Sequence, residues 1–254
     1  MSPRNESRDQ PRGVIPGVSA SASPLVVAEH RALQLIARQV LADLAATIGP
    51  DDTESSIAAR AVESLRGRGV TETWYHNCPA LVLLGSRSCL SISGRDYAPA
   101  YEPVGQTNLI TIDVSPMRGA ARGDCARSFC VEQGRVTDAP ANEEFSRGKV
   151  FLESLHAAMP GFVSASTTFH ELFGWTNDRI AAAAFENLDF RHNIGHSLAV
   201  DGAPRRFIEA GNQARLGDAP FFTFEPHVRV VGGRWGFKHE NIFFFDSAGG
   251  LEEL

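Results

Sequence analysis

From Pro24 to Ile48 the apolar residues recur at helical spacing. Val27, Leu33, Leu35, Ile36, Val40, Leu41, Leu44 and Ile48 form a stripe interleaved with Glu29, Arg31, Arg38 and Asp43, which predicts an amphipathic helix. Gly49-Pro50 ends it. Asp51-Asp52-Thr53-Glu54 offers N-capping residues for a second helix over residues 53–67, which ends near Gly67 and Gly69. Ala80 to Ile92 is apolar and strand-like, broken by Gly85. Asn108 to Val114 (NLITIDV) reads as a buried strand, Met117 to Gly123 as a turn, and Asp124 to Glu132 (DCARSFCVE) as the returning strand of a hairpin. Residues 143–159 and 171–186 read as helices. Short strands are expected around 195–200, 220–225, 227–231 and 240–245. Hairpins rather than βαβ crossovers, between two helical blocks, point to an α+β fold.

Residues 1–23 differ in kind. They are rich in Ser, Pro, Arg and Gly with almost no apolar periodicity, which predicts a flexible tail followed by one domain over 24–254. The tail has no apolar stretch of the kind a secretory signal needs. Across 254 residues the chain is 43% hydrophobic and 21% charged, which excludes whole-chain disorder. Its net charge of −6 lacks the basic excess usual for a nucleic-acid binder. No apolar run approaches the length of a membrane span. Four cysteines with no C-x-x-C pair fit neither a disulfide scaffold nor a zinc knuckle, and they suggest a reducing, cytoplasmic setting.

Certain polar residues sit where propensity disfavours them. Carboxylates are depleted in strands, yet Asp113 lies within NLITIDV. Alternation puts Leu109, Thr111 and Asp113 on one face, and Asp124, Ala126, Ser128 and Cys130 on one face of the returning strand. The two carboxylates are compatible with a shared small-residue pocket, and taken as a pair alone they fit strand-ending and turn-capping roles better. Two like charges that close do not both ionise without a cation between them. His192-Asn193-Ile194-Gly195-His196 spaces two imidazoles four apart, with a glycine that argues against helix. Glu225 ends the aromatic run Phe221–Phe224 just before Pro226, and Glu240 precedes the run Asn241–Phe245. Together, Asp113, Asp124, Glu225 and Glu240 with a neutral His196 form an oxygen-rich donor set suited to paired divalent ions (Mn²⁺, Fe²⁺, Co²⁺ or Zn²⁺).

In this order the residues resemble the pita-bread metallopeptidase family, which includes methionine aminopeptidase, aminopeptidase P, prolidase and the non-peptidase creatinase. ITIDV supplies Asp113, and Asp124 follows eleven residues later in DCARSF. HNIGHSLA is similar to HGIGHGIG, FTFEP to TIEP, and KHEN to RIED. The resemblance covers about residues 24–254. It implies a curved antiparallel sheet flanked by helices and a two-metal site. In that site Asp124 and Glu240 bridge, Asp113 holds one ion, and His196 with Glu225 holds the other. It also implies that Glu225 shuttles a proton and that His192 hydrogen-bonds the substrate or the oxyanion. The implied reaction is hydrolysis of a C–N bond in a short peptide or small molecule, Xaa-Pro aminopeptidase-like, without nucleic-acid or membrane partners. A homodimer is compatible with the resemblance.

The substrate-facing positions depart from the family. Ala203 stands where a third histidine is usual, the segment Gly94–Tyr97 where another is usual, and Ala126 where a threonine is usual. Lys238 replaces an arginine, and Asn241 an aspartate. His227 and His239 are additional histidines, read either as replacements or, preferably, as surface residues. These departures leave room for a creatinase-like or biosynthetic enzyme on the same metals, and for a non-catalytic binding module.

Overall fold

The computed structural model describes residues 22–198 and 204–254. The expected tail therefore lies outside the described residues except for Ala22 and Ser23, as do the last two positions of the strand expected at 195–200.

The first helix spans Pro24–Thr47. Ser23 caps it by accepting from the Val26 amide, and Pro24 stands where a missing N–H costs nothing. The second spans Glu54–Gly67. There Thr53 and Ser56 satisfy each other's amides in a capping box. Both bury their aliphatic faces (Leu33, Val40, Leu44, Ile57, Leu65) in one core with Val82, Ile110, Ile112 and Val114.

Beneath them lies a four-stranded antiparallel sheet. Its order is Ala80–Leu84, Asn108–Val114, Cys125–Glu132, Arg135–Thr137. In its central pair Asp113 faces Ala126, Thr111 faces Ser128 and Leu109 faces Cys130. The face predicted from alternation is thus the one the register builds.

The second half repeats the theme with aromatic packing. Helices Glu143–Phe162 and Phe169–Ala182 cover a core that includes Phe145, Phe169, Phe222, Phe224, Phe237 and Phe243. Its strands make one sheet in the order Leu251–Glu253, Asn241–Phe245, Phe221–Phe224, Ser197–Leu198. A second sheet runs Gly236–Lys238, His227–Val230, Phe185–Asn187. The described strand pairs are antiparallel, and the α+β expectation holds.

Several elements differ from the sequence reading; Ala80–Ile92, for one, is a strand only to Leu84 and a 3-10 turn over Gly85–Cys89. The helix expected at 171–186 starts at Phe169, where Thr168 caps it, and stops at Ala182, because Ala184 turns the chain at φ 56° into a strand. The turn at 117–123 carries two short strands, Pro116–Arg118 and Ala121–Arg122, paired beside Glu72–Thr73. Strands Gly236–Lys238 and Leu251–Glu253 were not expected; at three residues each they are too short to show a period, and their partners define them.

Candidate metal centre

Three acids and an imidazole stand at strand ends. Asp124 immediately precedes Cys125–Glu132, His196 precedes Ser197–Leu198, Glu240 precedes Asn241–Phe245, and Glu225 follows Phe221–Phe224. Asp113 is the exception, placed inside its strand. The topology brings four of the five to one cleft of about 370 Å³ lined by Asp113, Asp124, His196 and Glu225. Glu240 does not line it; it is buried against Asp124 and His196.

Asp124, His196 and Glu240 form the inner group. Their candidate ligand atoms all lie within 4.8 Å of one another, and all three side chains are buried. Among the described residues, neither carboxylate oxygen of Glu240 has a hydrogen-bond donor. Buried carboxylates without donors are costly, so this arrangement calls for a cation. Burial, reinforced by Asp113 and Glu225, holds Asp124 well above the usual carboxylate range. Burial, with Asp124 and Glu225, does the same to Glu240. A divalent ion would replace the missing counter-charge, and the oxygen-and-imidazole donor set fits one.

His196 is prepared as a ligand. Burial lowers its pKa and keeps it neutral. Its Nδ1 lies 3.1 Å from the Ser197 carbonyl, which can only accept, so Nδ1 carries the proton and Nε2 offers its lone pair. Nε2 lies 3.6 Å from both Asp124 Oδ2 and Glu225 Oε1, beyond hydrogen-bond reach. The backbone behind it is tight. At Gly195 (φ 148°) an added Cβ would stand 2.3 Å from the Thr223 carbonyl oxygen, and the His196 amide donates to Thr223 Oγ1 at 3.0 Å. Glycine is required by both conformation and space.

Asp113 and Glu225 form an outer, half-buried pair joined by Lys238. The Lys238 ammonium lies 2.7 Å from Asp113 Oδ2 and 3.2 Å from Glu225 Oε2. Burial pushes Glu225 up, but the Lys238 ammonium, by charge and by hydrogen bond, outweighs it and holds the carboxyl below its usual range. Glu225 is therefore ionised at neutral pH and available as a proton acceptor.

The other histidines are placed as follows. His192 is exposed, sits at φ 58° and does not itself line the cleft, although its neighbours Arg191 and Asn193 do. His227 is not a surface residue. It is buried, lines the cleft, and donates from Nε2 to the Ser88 carbonyl at 2.7 Å. Burial, with Lys238, pushes it down to about 4, so it is neutral. His239 is half-buried against His156, ring centroids 4.0 Å apart, and burial with that neighbour pushes it down to about 2.

Several residues were missed by sequence reasoning. Gln34, buried in the first helix, clamps the Asp124 peptide from both sides: its Nε2 donates to the Asp124 carbonyl at 2.7 Å and its Oε1 accepts from the Asp124 amide at 2.9 Å. A glutamine beside Leu33 within the apolar stripe was the available signal. Arg127 donates to the Glu240 carbonyl at 2.5 Å and to Asn241 Oδ1 at 2.6 Å. Trp74 donates to the Gly123 carbonyl and packs edge-on to His196, centroids 5.7 Å apart. Above it, the Arg205 guanidinium lies over Trp74, Tyr75 and Phe207 at 5.4, 5.7 and 5.4 Å.

The family model of metallopeptidase family M24 matches residues 28–246. No curated protein sequence matches the chain. Among solved structures, the chain is similar to an X-Pro aminopeptidase from Thermotoga maritima (TM-score 0.73, 18% identity, 92% of this chain and 62% of that one). It is also similar to a prolidase from Pyrococcus furiosus (0.75, 16%, 92% and 65%) and to an Xaa-Pro dipeptidase from Bacillus anthracis (0.75, 18%, 92% and 61%). The chain thus spans about six-tenths of the length of these proteins. At these identities the likeness shows the fold.

Proposed function

Because the chain belongs to metallopeptidase family M24, a family of metal-dependent hydrolases, we propose that residues 24–254 form one catalytic domain that hydrolyses a C–N bond at a divalent-metal site, with Xaa-Pro aminopeptidase-like activity on short peptides. The carrying observation is the inner group, Asp124, His196 and Glu240, with both Glu240 oxygens buried and, among the described residues, without a hydrogen-bond donor. These three would hold the first ion. Asp113 and Glu225 are the donors for a second wherever Lys238 yields them. A bound divalent ion supplies Lewis-acid activation of water and of the scissile carbonyl.

The chain's own residues do the rest. Glu225, ionised and at the mouth of the inner group, takes the proton from the attacking water and returns it to the leaving amine. Lys238 keeps Glu225 ionised and aimed through its ion pair. His227, neutral and committed through Nε2 to Ser88, offers Nδ1 as an acceptor in the cleft. Trp74 and Tyr75 with Arg205 form an aromatic and cationic wall for the substrate.

The test is turnover of Met-Xaa and Xaa-Pro peptides by protein loaded separately with Mn²⁺, Fe²⁺, Co²⁺ and Zn²⁺. Cleavage that EDTA abolishes is expected. Metal uptake with no cleavage of either peptide class would instead favour a specialised small-molecule hydrolase, a reading to which the altered cleft wall already points. Absence of metal uptake would overturn both. Four free cysteines accord with a cytoplasmic setting for this activity, and among the described residues no helix is long and apolar enough to cross a membrane.

A further inference from the structure

We propose that Lys238 is a built-in cation of the metal centre: its ammonium takes the Asp113–Glu225 half of the carboxylate ring, so the chain holds one divalent ion tightly on Asp124, His196 and Glu240 and a second only weakly. This rests on the metal-site reading above, and it departs from the two-ion site that the sequence resemblance implies.

Three observations carry it. First, the five candidate ligands divide by depth. Asp124, His196 and Glu240 are buried and mutually within 4.8 Å. Asp113 and Glu225 are half-buried, and each already has an ammonium contact, at 2.7 and 3.2 Å. Cation demand is therefore unequal: among the described residues neither Glu240 oxygen has a hydrogen-bond donor or an ion pair, whereas Asp113 and Glu225 both meet Lys238.

Second, the lysine is held in place. Its amide donates to Ser128 Oγ at 2.7 Å, and the same hydroxyl donates back to its carbonyl at 3.2 Å. Its strand position pairs with His227. A residue fixed at both backbone groups directs its side chain into the cleft at high effective concentration, which a dissolved ion must compete against.

Third, the charge and shape suit this role. Four carboxylates carry a charge of about −4 when ionised, and one divalent ion with one ammonium supplies +3; a second divalent ion would raise this to +5, with like charges close together. Lysine is a compact point charge able to sit between two carboxylates, unlike the planar guanidinium fork.

The experiment uses the full chain, stripped of metal and titrated with Mn²⁺. Bound ions are counted by equilibrium dialysis with mass spectrometry, and the electron paramagnetic resonance spectrum separates an isolated ion from an exchange-coupled pair. One tight ion per chain is expected, with an isolated-ion spectrum and a second site weaker by about a hundredfold or more. In K238M two ions of similar affinity and a coupled spectrum are expected, while K238R, which keeps the charge, is expected to resist the second ion. Two equally tight ions in the wild type overturn the proposal, whatever the variants do, and so does a K238M protein that is folded by circular dichroism yet still takes one. A wild type that binds no ion removes the metal-site reading itself, which keeps that failure distinct from a failure of Lys238.

Discussion

Asp124, His196 and Glu240, at the floor of the cleft, each occupy the residue just before a paired strand, and each has its backbone tied to a neighbouring element. Gln34 clamps the first, Thr223 holds the second, and Arg127 with the Ala126 carbonyl holds the third. At the rim, Trp74, Tyr75 and Arg205 stand on connecting segments, and Arg205 is placed mainly by ring contacts. The floor is specified by strand register, which a fold cannot vary without losing its core. The rim is specified by loops, which tolerate change. The contrast separates the two sets of residues by what fixes them, strand register below and loop contacts above, although Ala126, Lys238 and Asn241 also stand in strands.

Perturbing the floor should have the largest effect. Glu240→Gln removes a charge from the buried group and leaves an amide there, so metal affinity should fall by more than about a hundredfold, with hydrolysis falling at least as far. Metal content after dialysis checks this, and retention of the ion at wild-type affinity would remove Glu240 from the centre.

Gly195→Ala attacks the same floor through backbone alone. The added Cβ would overlap the Thr223 carbonyl at a φ that disfavours any side chain. A cost of about 3 kcal/mol is expected, which lowers the melting temperature by roughly 6–12 °C in a chain of this size. An unchanged melting curve would show that the strand end is not as rigid as its packing implies.

A third test uses pH. Asp124 and Glu240 are raised by burial first and by neighbouring carboxylates second. An acid whose folded value exceeds its unfolded one, 3.8 for Asp and 4.5 for Glu, stabilises the fold below the unfolded value. That stability is lost as pH rises through the folded value. The contribution of Asp124 and Glu240 to metal-free stability should therefore fall from about pH 4 upward, against the opposite trend of the lowered Glu225 and Asp52, and saturating Mn²⁺ should remove that fall. Thermal scans in EDTA and in Mn²⁺ across that range check it; the same pH profile in both contradicts it.

The smallest effect belongs to the rim. Arg205→Ala should leave metal content and melting temperature unchanged and raise KM about 3- to 30-fold, the scale of one lost cationic contact. A drop in metal content instead would erase the distinction between floor and rim.

The cleft carboxylates were the part legible from sequence. Asp113 stands out because a carboxylate interrupts an apolar alternation, and the register sets it opposite Ala126. The rim was not legible. His192 shares the spacing of a ligand pair with His196, but Gly195 and the left-handed φ of His192 turn the chain between them, and no periodicity encodes such a turn. His227 looked like a surface residue because its burial comes from Ser88, far away in sequence. Lys238 was visible as a departure, but its ion pairs with Asp113 and Glu225 depend on three strands meeting.

The Gln34 clamp makes the first helix part of the metal centre at one remove. Local opening of that helix must release the Asp124 peptide, so occupancy of the centre and docking of Pro24–Thr47 are thermodynamically linked. The amides of this helix, remote from any ligand atom, should then exchange with deuterium more slowly when an ion is bound, and Gln34→Ala should uncouple that protection from the ion.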